Sequence, residues 1–321
     1  MSTPALDDAT DGGSVRDLCV TYLAWGPLGV TPLREFLASY HEHPSGRPHR
    51  LVVLFNGVAA GASRDLLLAE LEHTDHELIV LERPVLDLLA YRQAAELLGA
   101  RRYCLLNSYS RIVADDWLLH MDRALAQPDV GLAAATGSWA SMISLALFSL
   151  GLPSAYAKVF DDRAATLREL EQLNFERTGN APSSDPVRRW LARVVSVAPT
   201  LVGFTRFPAH HVRSNAMAIE HDVLMSASRS SLRRKVQAHR LESGRSSFTR
   251  QVERRGLRVV VVDRFGQLYD PPDWAASETF WQGAQRGLLV ADNQTADYDA
   301  ADAARRLLLS RYAWGDRAAP L

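Results

Sequence analysis

The chain has little lysine, little cysteine and almost no net charge. Apart from Lys158 and Lys235, its Lys+Arg residues are all arginine, and the formal charge is −1. A balance so near zero sets up no bulk field toward nucleic acid or an anionic membrane. The arginine skew, with heavy Ala and Leu use, is the codon signature of a GC-rich bacterial genome. Cys19 and Cys104 are the two cysteines, each inside an apolar run. They make no C-x-x-C pair and no disulfide framework, so they read as buried thiols suited to a reducing cytoplasm. Met1 to Ser14 is acidic and polar, without the basic start and apolar stretch of a signal peptide. Residues 1–15 are therefore expected to be a disordered lead-in.

No apolar run is long enough to span a bilayer, which takes about 20 residues. The longest, Trp139 to Ala157, is broken by Ser141, Ser144, Ser149, Gly151, Pro153 and Ser154. It reads as a buried helix, with peripheral membrane contact as the lesser alternative. G-x-G-x-x-G after the first strand, G-x-x-x-x-G-K-[ST], H-E-x-x-H and G-x-S-x-G are all missing. Their absence removes the dinucleotide fingerprint, P-loop NTPases, zincins and the nucleophile elbow.

What is present is a core of ordinary size. Hydrophobic residues make up 47% and charged residues 23% of the chain, as in globular proteins generally. Leu18 to Trp25 is β-rich and closes on a Gly-Pro-Leu-Gly turn. Thr31 would cap the next helix, with Pro32 in its first turn. Arg50 to Phe55 is an unbroken apolar run, the pattern of a strand buried on both faces. Further strands are expected at His76 to Leu81, Arg101 to Leu106, Val130 to Ala135, Asn215 to Ile219 and Leu257 to Asp263. Helices lie between the first four strands and again before Val130. This order predicts an α/β fold with a mainly parallel sheet covered by helices on both sides. Residues 140–206 read as a helical insertion in one domain spanning 16–321. Helices are also expected over Val223 to His239, Ser246 to Arg255 (with Ser246 as cap) and Ala300 to Tyr312. Ligands of such sheets bind beyond the carboxyl ends of the strands, which singles out Trp25-Gly26-Pro27, Asn56-Gly57, Glu82-Arg83 and Asn107-Ser108-Tyr109-Ser110.

Four segments carry the polar residues of interest. In Arg83 to Gln93, Asp87 is either a helix cap or a ligand, and Arg92 reads as a solvated face. In Tyr103 to Ser110, Asn107 either satisfies the turn's own backbone or faces a ligand, and Arg111 follows as a possible phosphate partner. In Phe207 to Ile219, strand alternation would place His211, Arg213 and Asn215 on one face, either lining a cleft or on a solvent-facing edge. In Arg240 to Thr249, Glu242 and Arg245 flank Gly244. Trp281 could stack on a sugar or a base, although a Trp there is more often core.

As a set, these segments resemble nucleotide-sugar glycosyltransferases of the GT-A (Rossmann-like) fold, especially inverting, family-2-like bacterial enzymes and relatives in rhamnan and other polysaccharide synthesis. The resemblance covers about residues 18–140 and 207–265. It implies a nucleoside-diphosphate sugar as donor and a glycan or lipid-linked hydroxyl as acceptor, with no nucleic-acid partner. It puts Asp87, Asn107, Ser108, Tyr109 and Arg111 on the donor side, His211, Arg213, Asn215 and Arg245 on the acceptor side, and Glu242 as the catalytic base. The family's Asp-x-Asp, which holds Mn²⁺ or Mg²⁺ on the diphosphate, here reads Asn107-Ser108-Tyr109. Neutral side chains bind such cations poorly, so metal dependence is in doubt. An inactive relative that only binds a sugar nucleotide or glycan is the second reading. A nucleotidyltransferase ranks third, because the turn after the first strand carries no basic residue.

Overall fold

The computed structural model describes residues 17–81, 83–178, 185, 201, 203–226 and 235–319. The expected lead-in over 1–15 lies outside them. The strands, in chain order, are β1 (Leu18–Trp25), β2 (Arg50–Asn56), β3 (Glu77–Leu81), β4 (Arg102–Leu106), β5 (Arg111–Ile112) and β6 (Val130–Ala134). They continue with β7 (Gly137–Ser138), β8 (His211–Val212), β9 (Ala216–Glu220), β10 (Arg258–Val262), β11 (Leu268–Tyr269) and β12 (Val290–Ala291).

One eight-stranded sheet runs in the order β11-β10-β6-β9-β4-β1-β2-β3. The pairs β1–β2, β1–β4, β2–β3 and β6–β10 are parallel, and β9 runs antiparallel between β4 and β6. The apolar runs alternate between two cores. Cys19 and Leu23 of β1 face one, and Val20, Tyr22 and Ala24 face the other. Val52 and Leu54 of β2 alternate with Leu51, Val53 and Phe55 in the same way. A strand buried on both sides has no polar face to show, which is why these segments carry no period-2 pattern of polarity.

Helices α1 (Thr31–Glu42) and α2 (Ala62–Leu71) cover one face, and α3 (Asp87–Leu98) covers the other. Helix α4 (Trp117–Leu125) joins the first side through Trp117, Leu118 and Met121. Next in the chain are α5 (Met142–Ser149), α6 (Tyr156–Val159) and α7 (Arg163–Thr178). Phe148, Tyr156, Val159 and Phe160 of this part form a satellite cluster. The later helices are α8 (His221–Met225), α9 (Lys235–Ser243), α10 (Phe248–Glu253), α11 (Asn293–Ala300) and α12 (Ala303–Trp314). Among the described residues, no helix is long and apolar enough to cross a membrane. Cys19 and Cys104 are free and buried, and loss of water pushes the Cys19 thiol up to about 11.

Several local expectations shift. Thr31 lies inside α1, with Val30 at the cap position. Ser247, not Ser246, caps α10 by accepting from the Arg250 N–H at 3.3 Å. Helix α11 was not expected; Asp292 and Thr295 start it with a reciprocal capping box.

The loops leaving β1 and β2 press together. A Cβ on Gly26 would lie 2.1 Å from the Gly57 carbonyl oxygen. Gly26→Ala should therefore force the two loops apart and cost about 1–3 kcal/mol of stability, read as a lower urea midpoint at unchanged slope.

Candidate functional site

The chain runs outward through β1, β2 and β3, then returns along α3 to β4 on the other side of β1. Connections that part in opposite directions leave a crevice at the carboxyl ends of the two strands between them, here β1 and β4. Because β9 is antiparallel, the residues that precede it arrive at the same end, where Ala216 lies opposite Leu106.

Ser108 closes the floor of this crevice. Its hydroxyl donates to the Leu23 carbonyl (2.6 Å) and accepts from the Trp25 N–H (3.1 Å), while the Tyr22 phenol donates to the Ser108 carbonyl (2.9 Å). Asn107 folds back on its own turn: Oδ1 accepts from the Tyr109 N–H (2.9 Å) and the Ser110 hydroxyl (3.3 Å). The Asn107 N–H and the Ser110 hydroxyl both donate to the Asn215 carbonyl, which ties the exit of β4 to the entry of β9. Tyr109 is left exposed at the tip. The Arg111 guanidinium is ion-paired to Glu35 of α1.

This turn does not fit a divalent cation. Its side chains are neutral, and the Asn107 and Ser108 oxygens are already engaged in the bonds above. Among the described residues, no group of three or more His, Cys, Asp or Glu is placed to hold a metal ion.

The charge lies beside the turn instead. Buried Asn56, at the end of β2, clasps Val85 through both backbone groups: Nδ2 donates to its carbonyl (2.8 Å) and Oδ1 accepts from its N–H (2.9 Å). That clasp sets the start of α3 and with it Asp87, which sits in the first turn, with Leu86 rather than Asp87 at the cap position. The Asp87 side chain is solvent-accessible. Loss of water, and then the negative charge of Glu242, raise its pKa. Glu242, on α9, accepts at Oε1 from both the N–H (3.3 Å) and the hydroxyl (3.1 Å) of Ser214. His211 donates Nδ1–H to the Ala209 carbonyl at 2.8 Å. Burial lowers its pKa against the opposing pull of the Ala209 carbonyl and Glu242. It is thus held neutral, with Nε2 as an acceptor. Glu242 thus bonds Ser214, and its charge acts on both Asp87 and His211.

Other expected site residues lie elsewhere or face inward. His211, Arg213 and Asn215 do not share one strand face, because β8 ends at Val212 and a turn follows at Ser214 and Asn215. Arg213 is buried, paired to Asp292 at 2.7 Å, and lies over the Phe280 ring at 4.0 Å. Asn215 accepts from Thr136 and donates to the Val290 carbonyl. Arg245 is exposed at the turn after α9 and donates to the Phe204 carbonyl. Arg92 pairs loosely with Glu96 along α3. Trp281 is core, stacked on Phe280 with its indole N–H on the Gln294 carbonyl. Asn56, singled out at the end of its strand, is the residue that positions α3, whereas Ser214 was missed and carried no signal in the sequence.

No protein-family model matches the chain, and no curated protein matches it. Solved structures similar to it include the mannosyltransferase PcManGT from Pyrobaculum calidifontis in complex with GDP-Man and Mn²⁺, at 12% identity and a TM-score of 0.36, over 65% of this chain and 45% of that one. The mannosyltransferase Ktr4p from S. cerevisiae in complex with GDP matches at 12% identity and 0.38, over 80% and 71%. Mouse xyloside xylosyltransferase 1, apo form, matches at 11% identity and 0.35, over 77% and 84%. The chain thus spans less than half of PcManGT. Likenesses this distant carry no chemistry across to this chain.

A carboxyl group whose folded pKa is raised loses stability as pH rises through the window between its ordinary and folded values. Asp87→Asn should therefore be more stable than the parent at neutral pH, with the gain vanishing below the ordinary Asp range. Glu242→Gln should lower the Asp87 pKa, read from its carboxyl-carbon NMR titration.

Proposed function

We propose that the chain is a GT-A-type glycosyltransferase that moves a sugar from a nucleoside-diphosphate sugar to a hydroxyl acceptor with inversion, in the synthesis of a cell-surface glycan or polysaccharide. One observation carries this reading: Glu242, a solvent-accessible carboxylate, is held at Oε1 by Ser214, the neighbour of Asn215, whose carbonyl is tied to the exit of β4. Glu242 takes the proton of the acceptor hydroxyl. The acceptor oxygen bonds to the anomeric carbon from the face opposite the diphosphate. The bond from that carbon to the diphosphate oxygen breaks, and its electron pair leaves with the diphosphate. Ser214 holds the Glu242 carboxylate in one orientation, and neutral His211 beside it offers Nε2 to a second hydroxyl. Asp87 would accept from the donor's ribose or base. Arg111 would have to leave Glu35 to meet a phosphate.

The second reading is a module that binds a sugar nucleotide or glycan without turnover. The neutral turn at Asn107-Ser108-Tyr109, whose oxygens are satisfied internally, favours it.

Glu242→Gln should lower transfer by about 10²–10⁴-fold, the usual scale for removing a general base, with donor binding retained. NMR of the product should show the anomeric configuration opposite to that of the donor. Full activity in the variant contradicts the assignment of the base. Donor binding by the parent with no turnover on any acceptor supports the module.

A further inference from the structure

Ser214 holds Glu242 from a turn, and a group that orients another must itself be held. Its two flanking residues are fixed, and by the same two segments. On one side, Arg213 donates its N–H to the Thr136 carbonyl (3.1 Å). Its guanidinium donates to the Thr136 hydroxyl (3.4 Å) and to the Asp292 carboxylate (2.7 Å). On the other side, Asn215 accepts from the Thr136 hydroxyl and donates to the Val290 carbonyl (3.3 Å). Thr136 follows β6, and Val290 to Asp292 leads from β12 into α11. Arg213, Asn215, Thr136 and Asp292 are all buried, and the Phe280 ring lies against the guanidinium. Asp292 is fixed in turn, because its Oδ1 accepts from the Gln294 and Thr295 N–H groups at the start of α11.

A buried ion pair is a poor source of stability, since desolvation offsets much of the attraction and well-packed apolar side chains do as well. What this pair supplies is direction. The planar guanidinium presents its donors at fixed angles, here to two acceptors. The peptide that leaves Arg213 carries the Ser214 N–H that Glu242 accepts.

We propose that Arg213 is a positioning residue for Glu242: clamped to Thr136 and Asp292, it fixes the Ser214 N–H and hydroxyl that orient the carboxylate. The use of that orientation, proton abstraction from an acceptor, rests on the reading of Glu242 as the base; the orientation itself does not.

NMR of the full chain tests this without turnover. Ionisation strengthens the hydrogen bond that a carboxylate accepts. The Ser214 amide proton of the parent should therefore move downfield as Glu242 ionises, and Glu242→Gln should abolish the movement. Arg213→Met with Asp292→Asn removes the ion pair without stranding a buried charge, and Asn still caps a helix. This double variant should keep the parent's circular dichroism spectrum and lose most of the Ser214 movement. Arg213→Lys, with a cation again opposite Asp292, should retain more of it. Thr136→Val takes one hydroxyl from both flanks, so it should diminish the movement too, and it decides the matter if the double variant does not fold. An undiminished movement in the folded variants overturns the proposal, as does a parent whose Ser214 amide ignores Glu242. Loss of the transfer activity in Glu242→Gln is read separately, so the assignment of the base and the role of Arg213 can fail independently.

Discussion

One buried hydroxyl holds the working end of this fold together. Ser108 joins the last turn of β1 to the exit of β4 by bonding both to the Leu23 carbonyl and to the Trp25 N–H. Those two strands are where the chain reverses its direction of winding, and a reversal of winding opens a gap. The hydroxyl bridges the base of the gap while the loops above it stay apart. Asn107 and Ser110 extend the bridge to Asn215, so three strands share one hydrogen-bonded floor. Ser214, next to Asn215, and through it Glu242, are positioned from that floor, whereas Asp87 is set by the Asn56 clasp on Val85.

Polarity is divided sharply across the crevice. The turn after β4 is neutral and internally satisfied, and its one following cation, Arg111, is held by Glu35. Negative charge lies beside it, enough that Glu242 helps push the Asp87 pKa upward. A site of this kind suits proton abstraction from a hydroxyl better than it suits a bound cation at the turn. It also offers few fixed positive charges to an anionic ligand, because Arg111 is held by Glu35 and Arg213 by Asp292.

Much of this was legible in the sequence because buried parallel strands announce themselves as continuous apolar runs. Leu18–Trp25 and Arg50–Asn56 match their expected bounds to within a residue. The carboxyl ends of the strands followed from that order, and with them Asn56, Asn107 and Ser108. The site was less legible, for a physical reason. Side-chain direction before β9 depends on a two-residue strand and a turn, so period-2 reasoning over His211, Arg213 and Asn215 fails. Arg213 and Asn215 look like ligand residues by type. They are in fact a buried ion pair with Asp292 and an amide satisfied by Thr136 and Val290, partners 75 to 79 residues away in the chain. Ser214, which touches Glu242, sits between them with nothing in the sequence to set it apart.

We propose that the crevice between β1 and β4 binds a nucleoside-diphosphate sugar and that the neutral Asn107 turn holds no metal for it. Thermal unfolding against a panel of such donors, each with and without Mn²⁺, tests it most directly. A ligand that binds only the folded state stabilises it by about 2.7 kcal/mol at a hundred times its Kd. The account predicts a clear upward shift with at least one donor, of the same size in the presence and absence of Mn²⁺. A shift that appears only with Mn²⁺, or no shift with any donor, would contradict it.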